Sequence, residues 1–115
     1  MGIKIYHNTR CSKSRQALSL IKSKTSEFEI IEYLKYPLKF EEIKSLLSQL
    51  NMKPIELVRD KEEIWKTNYQ GKKMNDKEII NALINHPKLM QRPIVRKNEK
   101  AILARPPENV LILFN

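Results

Sequence analysis

Apolar and polar positions near the start of the chain follow two different periods. Residues 2–6 alternate and predict a short strand, residues 12–24 repeat at helical spacing, and residues 28–33 predict a second strand. The apolar residues behind these assignments include Ile3, Ile5, Ala17, Leu18, Ile21 and Phe28. A strand–helix–strand unit of this kind favours two parallel strands joined by a right-handed crossover.

The section that follows the second strand is helical in its pattern. Asn51 can end a first helix, and short helices are predicted after Pro54 and around Trp65. Asp76 is predicted to cap a fourth helix, which His86-Pro87 closes. The apolar residues at helical spacing are Phe40, Ile43, Leu46, Leu47 and Leu50 in the first helix and Ile79, Ile80, Leu83 and Ile84 in the fourth.

Towards the end of the chain the period changes from helical to strand-like. Residues 92–95 and 100–104 predict two antiparallel strands joined by a tight turn at Asn98-Glu99. Pro106-Pro107 suits the first turn of a final helix, although residues 110–114 have strand propensity. The pattern predicts an α/β fold in which a helical block separates the second strand from the third. A length of 115 residues favours one domain over 1–115.

Basic residues outnumber acidic ones by 22 to 13, which gives a net charge of +9 that attracts anions. The lysines are scattered and no aromatic residues are interleaved with a basic run, so we expect a solvated surface and no specific nucleic-acid binding. The longest apolar run, residues 110–114, is far too short to cross a bilayer. With no membrane segment or signal peptide in the pattern, we expect a cytoplasmic protein.

Cys11 is the single cysteine, so an internal disulfide is excluded and a reducing compartment is favoured. Its thiol is either a small buried apolar group or a nucleophile. The two histidines, His7 and His86, are far apart in the sequence and give no metal-ligand cluster with this cysteine. We therefore expect no metal site.

The residues around Cys11 favour the nucleophile. Cys11 lies where a predicted strand has ended and a helix begins, and free backbone N–H groups together with the helix dipole lower a thiol pKa at such a position. His7 could assist if it is protonated, and Ser14 could donate a hydrogen bond to the thiolate or simply cap the helix. Cys11-Ser12-Lys13-Ser14 has the form of a C-x-x-C motif without its second cysteine. An adduct on Cys11 must then be cleared by an outside thiol, such as glutathione or glutaredoxin.

Four stretches of the chain form a set with a specific order and spacing. They are Ile5-Tyr6-His7-Asn8-Thr9-Arg10-Cys11-Ser12-Lys13-Ser14-Arg15, Glu56-Leu57-Val58-Arg59, Gln91-Arg92-Pro93-Ile94-Val95 and Ala104-Arg105-Pro106-Pro107-Glu108. Together they resemble the active-site loop and three downstream motifs of the glutaredoxin-coupled arsenate reductases. The resemblance covers essentially the whole chain.

The resemblance implies a thioredoxin-like core with an inserted helical block, and reduction of arsenate to arsenite through a covalent thiol–arsenate adduct. It implies glutathione as a co-substrate and glutaredoxin as a partner, with no bound cofactor. Matched residue by residue, it implies Cys11 as the nucleophile, Arg59, Arg92 and Arg105 as the oxyanion clamp, His7 and Ser14 as residues that tune the thiol, and Pro93 as the cis-proline of the fold. Guanidinium groups suit this role because they stay charged and offer forked donors to oxyanions.

Two other functions stay open on the sequence. A protein of this fold could be a redox-responsive regulator, or a thiol reductase acting on another substrate or partner, with Cys11 as its sensor. The three arginines argue against a sensor, which needs no oxyanion clamp. Nucleic-acid binding through charge alone is the weaker alternative, because it predicts only non-specific, salt-dependent attraction.

Overall fold

The computed structural model describes residues 2–114. The chain divides into two compact units, the first formed by Met1–Tyr36 with Arg92–Asn115 and the second by Pro37–Gln91. The second unit interrupts the first between its second and third strands, so the predicted insertion of a helical block is confirmed. Among the described residues, no helix is both long enough and apolar enough to span a bilayer.

The first unit is built on a four-stranded sheet in the order β2-β1-β3-β4. Its strands are β1 (Ile3–Tyr6), β2 (Phe28–Ile31), β3 (Ile94–Lys97) and β4 (Lys100–Leu103). β1 pairs with β2 in parallel and with β3 antiparallel, and β3 and β4 form the predicted hairpin. Asn98 turns that hairpin at a φ of 57°, a left-handed conformation that asparagine tolerates well.

Helix α1 (Ser12–Lys24) follows β1 with the predicted bounds and packs with the C-terminal segment in the core of this unit. That segment, Pro107–Phe114, is helical as predicted, and its helix is of the 3₁₀ type. A 3₁₀ helix has three residues per turn, so residues spaced by three share one face. The buried residues of this segment have that spacing: they are Pro107, Val110 and Leu113. Burial of this face, together with the core residues of α1 and the sheet, outweighs the strand propensity of the segment.

Several strand boundaries differ from the prediction by one or two residues. The differences at β2 and β3 have clear physical reasons. β2 ends at Ile31 rather than Tyr33, because the carbonyl of Glu32 accepts hydrogen bonds from the N–H groups of Lys35 and Tyr36 and begins a turn. β3 begins at Ile94 rather than at residue 92. Proline has no N–H to give to a ladder, so Pro93 suits the position before the strand.

The second unit is wholly helical apart from one isolated bridge. It contains α2 (Phe40–Leu50), α3 (Glu63–Asn68) and α4 (Asp76–Asn85), with 3₁₀ turns at Pro54–Leu57 and Pro87–Leu89. Asn51 ends α2 in a left-handed conformation, as the sequence predicts. The prediction that Asp76 caps α4 is wrong. Asn75 is the N-cap, and its side chain and that of Glu78 form a reciprocal capping box.

Candidate active site

The register of the sheet places three loops of the first unit at the same end of the strands. β1 ends at Tyr6, whose partner is Ile94 at the start of β3, and Ile94 is paired in turn with Leu103 at the end of β4. The residues that follow β1, precede β3 and follow β4 therefore leave the sheet at the same end. Those residues include Cys11, Arg92, Pro93 and Arg105.

Cys11 occupies the N-cap position of α1, and its side chain makes no capping hydrogen bond as a thiol. It is 9% exposed, so it is buried but close to the surface. Burial raises the pKa of the Cys11 thiol, whereas the backbone N–H of Ser14, the charge of Arg92 and the backbone N–H of Lys13 lower it, and the net shift is downward. A thiolate is a stronger acceptor than a thiol, so ionisation gives the orphan N–H groups of the helix an acceptor.

Arg92 is the charged side chain that acts most directly on Cys11. It lowers the pKa of the thiol through its positive charge and through a side-chain hydrogen bond to the sulfur. Its Nε and Nη1 atoms are buried and make no hydrogen bond within residues 2–114. Buried guanidinium donors of this kind, next to a thiolate, suit an oxyanion that approaches the sulfur.

Arg105 follows the end of β4, at the same end of the sheet, and is exposed. Its Nη1 lies 3.4 Å from the carbonyl oxygen of Arg92, a long hydrogen bond. Both arginines precede a cis peptide bond, because Arg92–Pro93 and Arg105–Pro106 are both cis. The second cis bond was not predicted, although the Arg-Pro dipeptide occurs twice in the chain and could have directed attention to it.

His7 and Ser14 contact each other near the start of helix α1. His7 is 5% exposed and Ser14 is fully buried, and the imidazole Nδ1 lies 2.6 Å from the Ser14 hydroxyl oxygen. The same hydroxyl accepts a hydrogen bond of 3.1 Å from the backbone N–H of Asn8. The hydroxyl of Ser14 therefore organises the loop, and it is the backbone N–H of this residue that favours the thiolate. Asn8 was not among the predicted site residues.

His7 is held in its neutral form by its surroundings. Burial lowers the pKa of His7, Glu32 raises it, and Arg15 and Lys22 lower it, with a net shift downward. The imidazole is then uncharged at neutral pH, so His7 does not supply positive charge to the thiolate. With the ring neutral, Nδ1 can accept a hydrogen bond from the Ser14 hydroxyl.

Arg59 belongs to the second unit and is described with its own neighbours. Its backbone N–H donates to the carbonyl of Leu89, next to the bridge between Val58 and Met90. The guanidinium Nη1 lies 3.0 Å from a carboxylate oxygen of Glu62 and 3.4 Å from the carbonyl oxygen of Lys88. Glu62 was not among the predicted site residues. Within the described part of the chain, no cluster of three or more histidine, cysteine or acidic side chains could hold a metal.

A thiol at the start of the helix that follows β1, together with a cis-proline just before β3 of a mixed four-stranded sheet, defines a thioredoxin-like thiol protein. The family model described as the ArsC family matches residues 6–113. The chain belongs to the ArsC family.

Individual relatives agree with this assignment. The chain is 44% identical over 111 residues to the uncharacterized protein YfgD of Escherichia coli K12, covering 95% of this chain and 93% of that protein. It is 36% identical over 110 residues to the arsenate reductase of Neisseria meningitidis, covering 94% of each. Among solved structures, the arsenate reductase from Vibrio cholerae superposes with a TM-score of 0.92 at 39% identity, covering 97% of each chain. The predicted thioredoxin-like fold and the predicted family are thereby confirmed.

Proposed function

We propose that this protein reduces arsenate to arsenite through a covalent Cys11–arsenate adduct, with glutathione and glutaredoxin as reductants. One observation carries the proposal. A thiol with a lowered pKa lies beside Arg92, whose buried Nε and Nη1 have no partner among the described residues. A redox sensor needs the reactive thiol, but it does not need guanidinium donors left without a partner beside that thiol.

The first step forms a sulfur–arsenic bond. The Cys11 thiolate attacks arsenic, and one arsenate oxygen leaves as water after taking up protons. The adduct keeps the charge of the remaining oxygens, and the guanidinium of Arg92 lies where it can stabilise that charge. Arg59 and Arg105 are proposed to complete the clamp on the strength of their motifs, and Pro93 to line the site as its cis-proline.

The second stage reduces arsenic by two electrons. A first outside thiol bonds to the arsenic of the adduct, and a second arsenate oxygen leaves as water. A second thiol then attacks the sulfur of the first, forming a disulfide, and the electron pair of the broken sulfur–arsenic bond stays on arsenic. Water hydrolyses the remaining bond between Cys11 and arsenic, which releases arsenite and leaves Cys11 again a thiol. Overall, arsenic acid and two thiols give arsenous acid, one disulfide and one water. Since the chain has a single cysteine, both thiols come from outside.

The proposal assigns this activity to residues 1–115 acting as one domain, because the helical block interrupts the sheet in chain order. Cytosolic glutathione would supply the electrons, so the proposed location is the cytoplasm. His7 and Ser14 act on the thiol by holding its loop, in keeping with their contact of 2.6 Å.

A coupled assay tests the proposal. Purified protein is incubated with arsenate, glutathione and glutaredoxin, and arsenite is measured, with each reductant omitted in turn. We expect turnover only when both reductants are present, none in Cys11→Ser, and a loss of at least about tenfold in Arg92→Gln. Ser12→Ala, which changes an exposed neighbour, is the matched control.

Full turnover in Cys11→Ser would refute the covalent mechanism. Turnover with glutathione alone would refute the role of glutaredoxin. Capture of a stoichiometric protein partner without any arsenate turnover would instead support the regulator.

A further inference from the structure

Two exposed basic side chains of the first unit flank Cys11. Arg10 comes directly before the cysteine, and Lys13 lies in the first turn of α1, where its backbone N–H lowers the pKa of the thiol. Within residues 2–114, neither side chain makes an ion pair or a hydrogen bond through its cationic group. Two positive charges beside the sulfur therefore face solvent.

The other basic side chains of this loop and of the strand opposite it are used differently. Arg15 donates from Nη1 to the carbonyl oxygen of Thr9 at 2.9 Å, which ties the loop to the helix. Arg92 bonds to the sulfur, and its Nε and Nη1 are buried. The buried donors of Arg92 suit a compact oxyanion, whereas the exposed charges of Arg10 and Lys13 suit a larger anion that approaches from solvent.

The charge of Lys13 is not explained by the stability of α1. The positive end of a helix dipole favours acidic side chains in the first turn and disfavours basic ones. The first turn of α1 contains no acidic residue, and the sequence has none between His7 and Ser26. No carboxylate of this segment therefore competes with an incoming anion for Arg10 and Lys13.

The proposed reaction brings to Cys11 an anion that is larger than arsenate. Glutathione is a tripeptide whose thiol lies between two terminal carboxylates, so its negative charges extend beyond the reacting sulfur on both sides. Guanidinium and ammonium groups bind carboxylates through charge-assisted hydrogen bonds. Complementary charge also speeds encounter and disfavours partners of the wrong sign.

We infer that Arg10 and Lys13 form a recognition site for the carboxylates of a small anionic thiol such as glutathione, beside the oxyanion donors of Arg92. They are specificity-determining residues for the reductant rather than for arsenate. The inference rests on the proposed function, because it takes an outside thiol to react at Cys11. It supplies a physical basis for choosing that thiol in a chain without a second cysteine.

Thiol–disulfide exchange at Cys11 tests the site without arsenate. The thiolate attacks one sulfur of a small disulfide and forms a mixed disulfide, and the other half leaves as a thiolate with the electron pair of the broken bond. Three disulfides are compared: glutathione disulfide is negative, hydroxyethyl disulfide is neutral and cystamine is positive. Mass spectrometry of the whole chain gives the rate constant of each reaction.

The quantity of interest is the rate constant for each charged disulfide divided by that for hydroxyethyl disulfide. Each variant supplies its own neutral reference, so a change in the pKa of Cys11 affects both rate constants and cancels. The reaction with the neutral disulfide also shows that the thiol of each variant is intact.

Removal of either charge should reduce the preference for the negative disulfide. Arg10→Gln and Lys13→Gln should each lower the glutathione disulfide ratio by about threefold, and the double variant by about tenfold, as expected for exposed charge pairs. The cystamine ratio should rise in the same variants because a like charge has been removed.

Lys24→Gln is the matched control. It removes the same charge from an exposed lysine in the last turn of α1. That position lies about 16 Å further along the helix than Lys13, and charges are screened over a Debye length of about 8 Å at physiological salt. Both ratios should therefore be unaltered in this variant.

An unchanged glutathione disulfide ratio in the double variant would overturn the inference even if arsenate turnover is normal. An equal fall in Lys24→Gln would also overturn it, since the net charge of the whole protein explains that result. If native Cys11 reacts with none of the three disulfides, the inference fails, and so does the reactive thiol of the proposed function. The expected ratios without any arsenate turnover would refute the proposed function alone.

Discussion

The Nδ1 atom of His7 and the hydroxyl oxygen of Ser14 lie 2.6 Å apart, and both side chains are buried. The hydroxyl and the backbone N–H of Ser14 therefore have different roles. Its hydroxyl engages His7 and the N–H of Asn8, while its backbone N–H lowers the pKa of Cys11. Loop stability and thiol acidity can therefore be changed separately.

Replacement of Ser14 by alanine should cost stability while leaving the thiol acidic. His7 and the N–H of Asn8 each lose a hydrogen-bond partner, and an unsatisfied buried polar group costs about 1–3 kcal/mol. Urea unfolding measures the loss, and the pH dependence of Cys11 alkylation measures its pKa. Ser12→Ala, at an exposed position, is the control. A large rise in the Cys11 pKa would show that the hydroxyl supports the thiolate directly.

Replacement of Arg92 by glutamine should raise the pKa of Cys11. Arg92 lowers that pKa both by its charge and by a hydrogen bond to the sulfur, and glutamine removes the charge. At neutral pH the alkylation rate should fall because less thiolate is present. Arg96→Gln changes a partly buried arginine in β3, the strand that follows Arg92, and is the matched control. Identical pH profiles for native protein and Arg92→Gln would contradict this assignment.

Acidification should destabilise the fold through His7. The pKa of His7 is lowered in the folded protein, so below about pH 6.5 the unfolded chain binds more protons and stability falls as the pH falls. Urea unfolding between pH 7 and pH 5 measures the slope. His7→Gln keeps a polar side chain beside Ser14 but cannot titrate, and its slope should be flatter. Parallel slopes for the two proteins would show that His7 does not contribute.

Removal of the capping box of α4 should destabilise the second unit. The Asn75 side chain accepts from the N–H of Glu78 at 2.8 Å, and the Glu78 carboxylate accepts from the N–H of Asn75 at 3.0 Å. Asn75→Ala should lower the free energy of unfolding by about 1 kcal/mol. Trp65 is the only tryptophan and lies in this unit, so its fluorescence reports the transition.

Asp76→Ala tests whether Asn75 or Asp76 caps helix α4. The sequence alone favoured Asp76, whereas the structure places it inside the first turn, where an acidic side chain gains only the weaker interaction with the helix dipole. Its replacement should cost less than that of Asn75. The reverse order of the two losses would restore Asp76 as the cap.

Much of the fold could be predicted because its signals are local. Helix α1 has the predicted bounds, and the predicted parallel pair of β1 with β2 and hairpin of β3 with β4 are both observed. The ends of strands were less predictable. β2 stops at Ile31 because the following residues form a turn, and that competition depends on hydrogen bonds that a pattern of apolar residues does not reveal.

The site was predictable only in part, because residue types indicate which chemistry is possible but not which group each side chain contacts. Ser14 was expected to face the thiolate or to cap the helix, yet its hydroxyl turns to a buried His7. The sequence allowed His7 a positive charge, but burial, with smaller contributions from Arg15 and Lys22, lowers its pKa in the folded protein. The sequence did not indicate an interaction for Glu62, because several acidic residues lie in the same stretch of the chain. Only the structure shows that its carboxylate pairs with Arg59.

By itself, the sequence determined that one thiol stands at the beginning of a helix, because strand end, loop and helix start are neighbours in the chain and need no distant partner. Tertiary structure decided what surrounds that thiol. Arg92 reaches Cys11 because the antiparallel register of β1 and β3 puts Tyr6 opposite Ile94, and such a register is fixed by packing across the whole sheet.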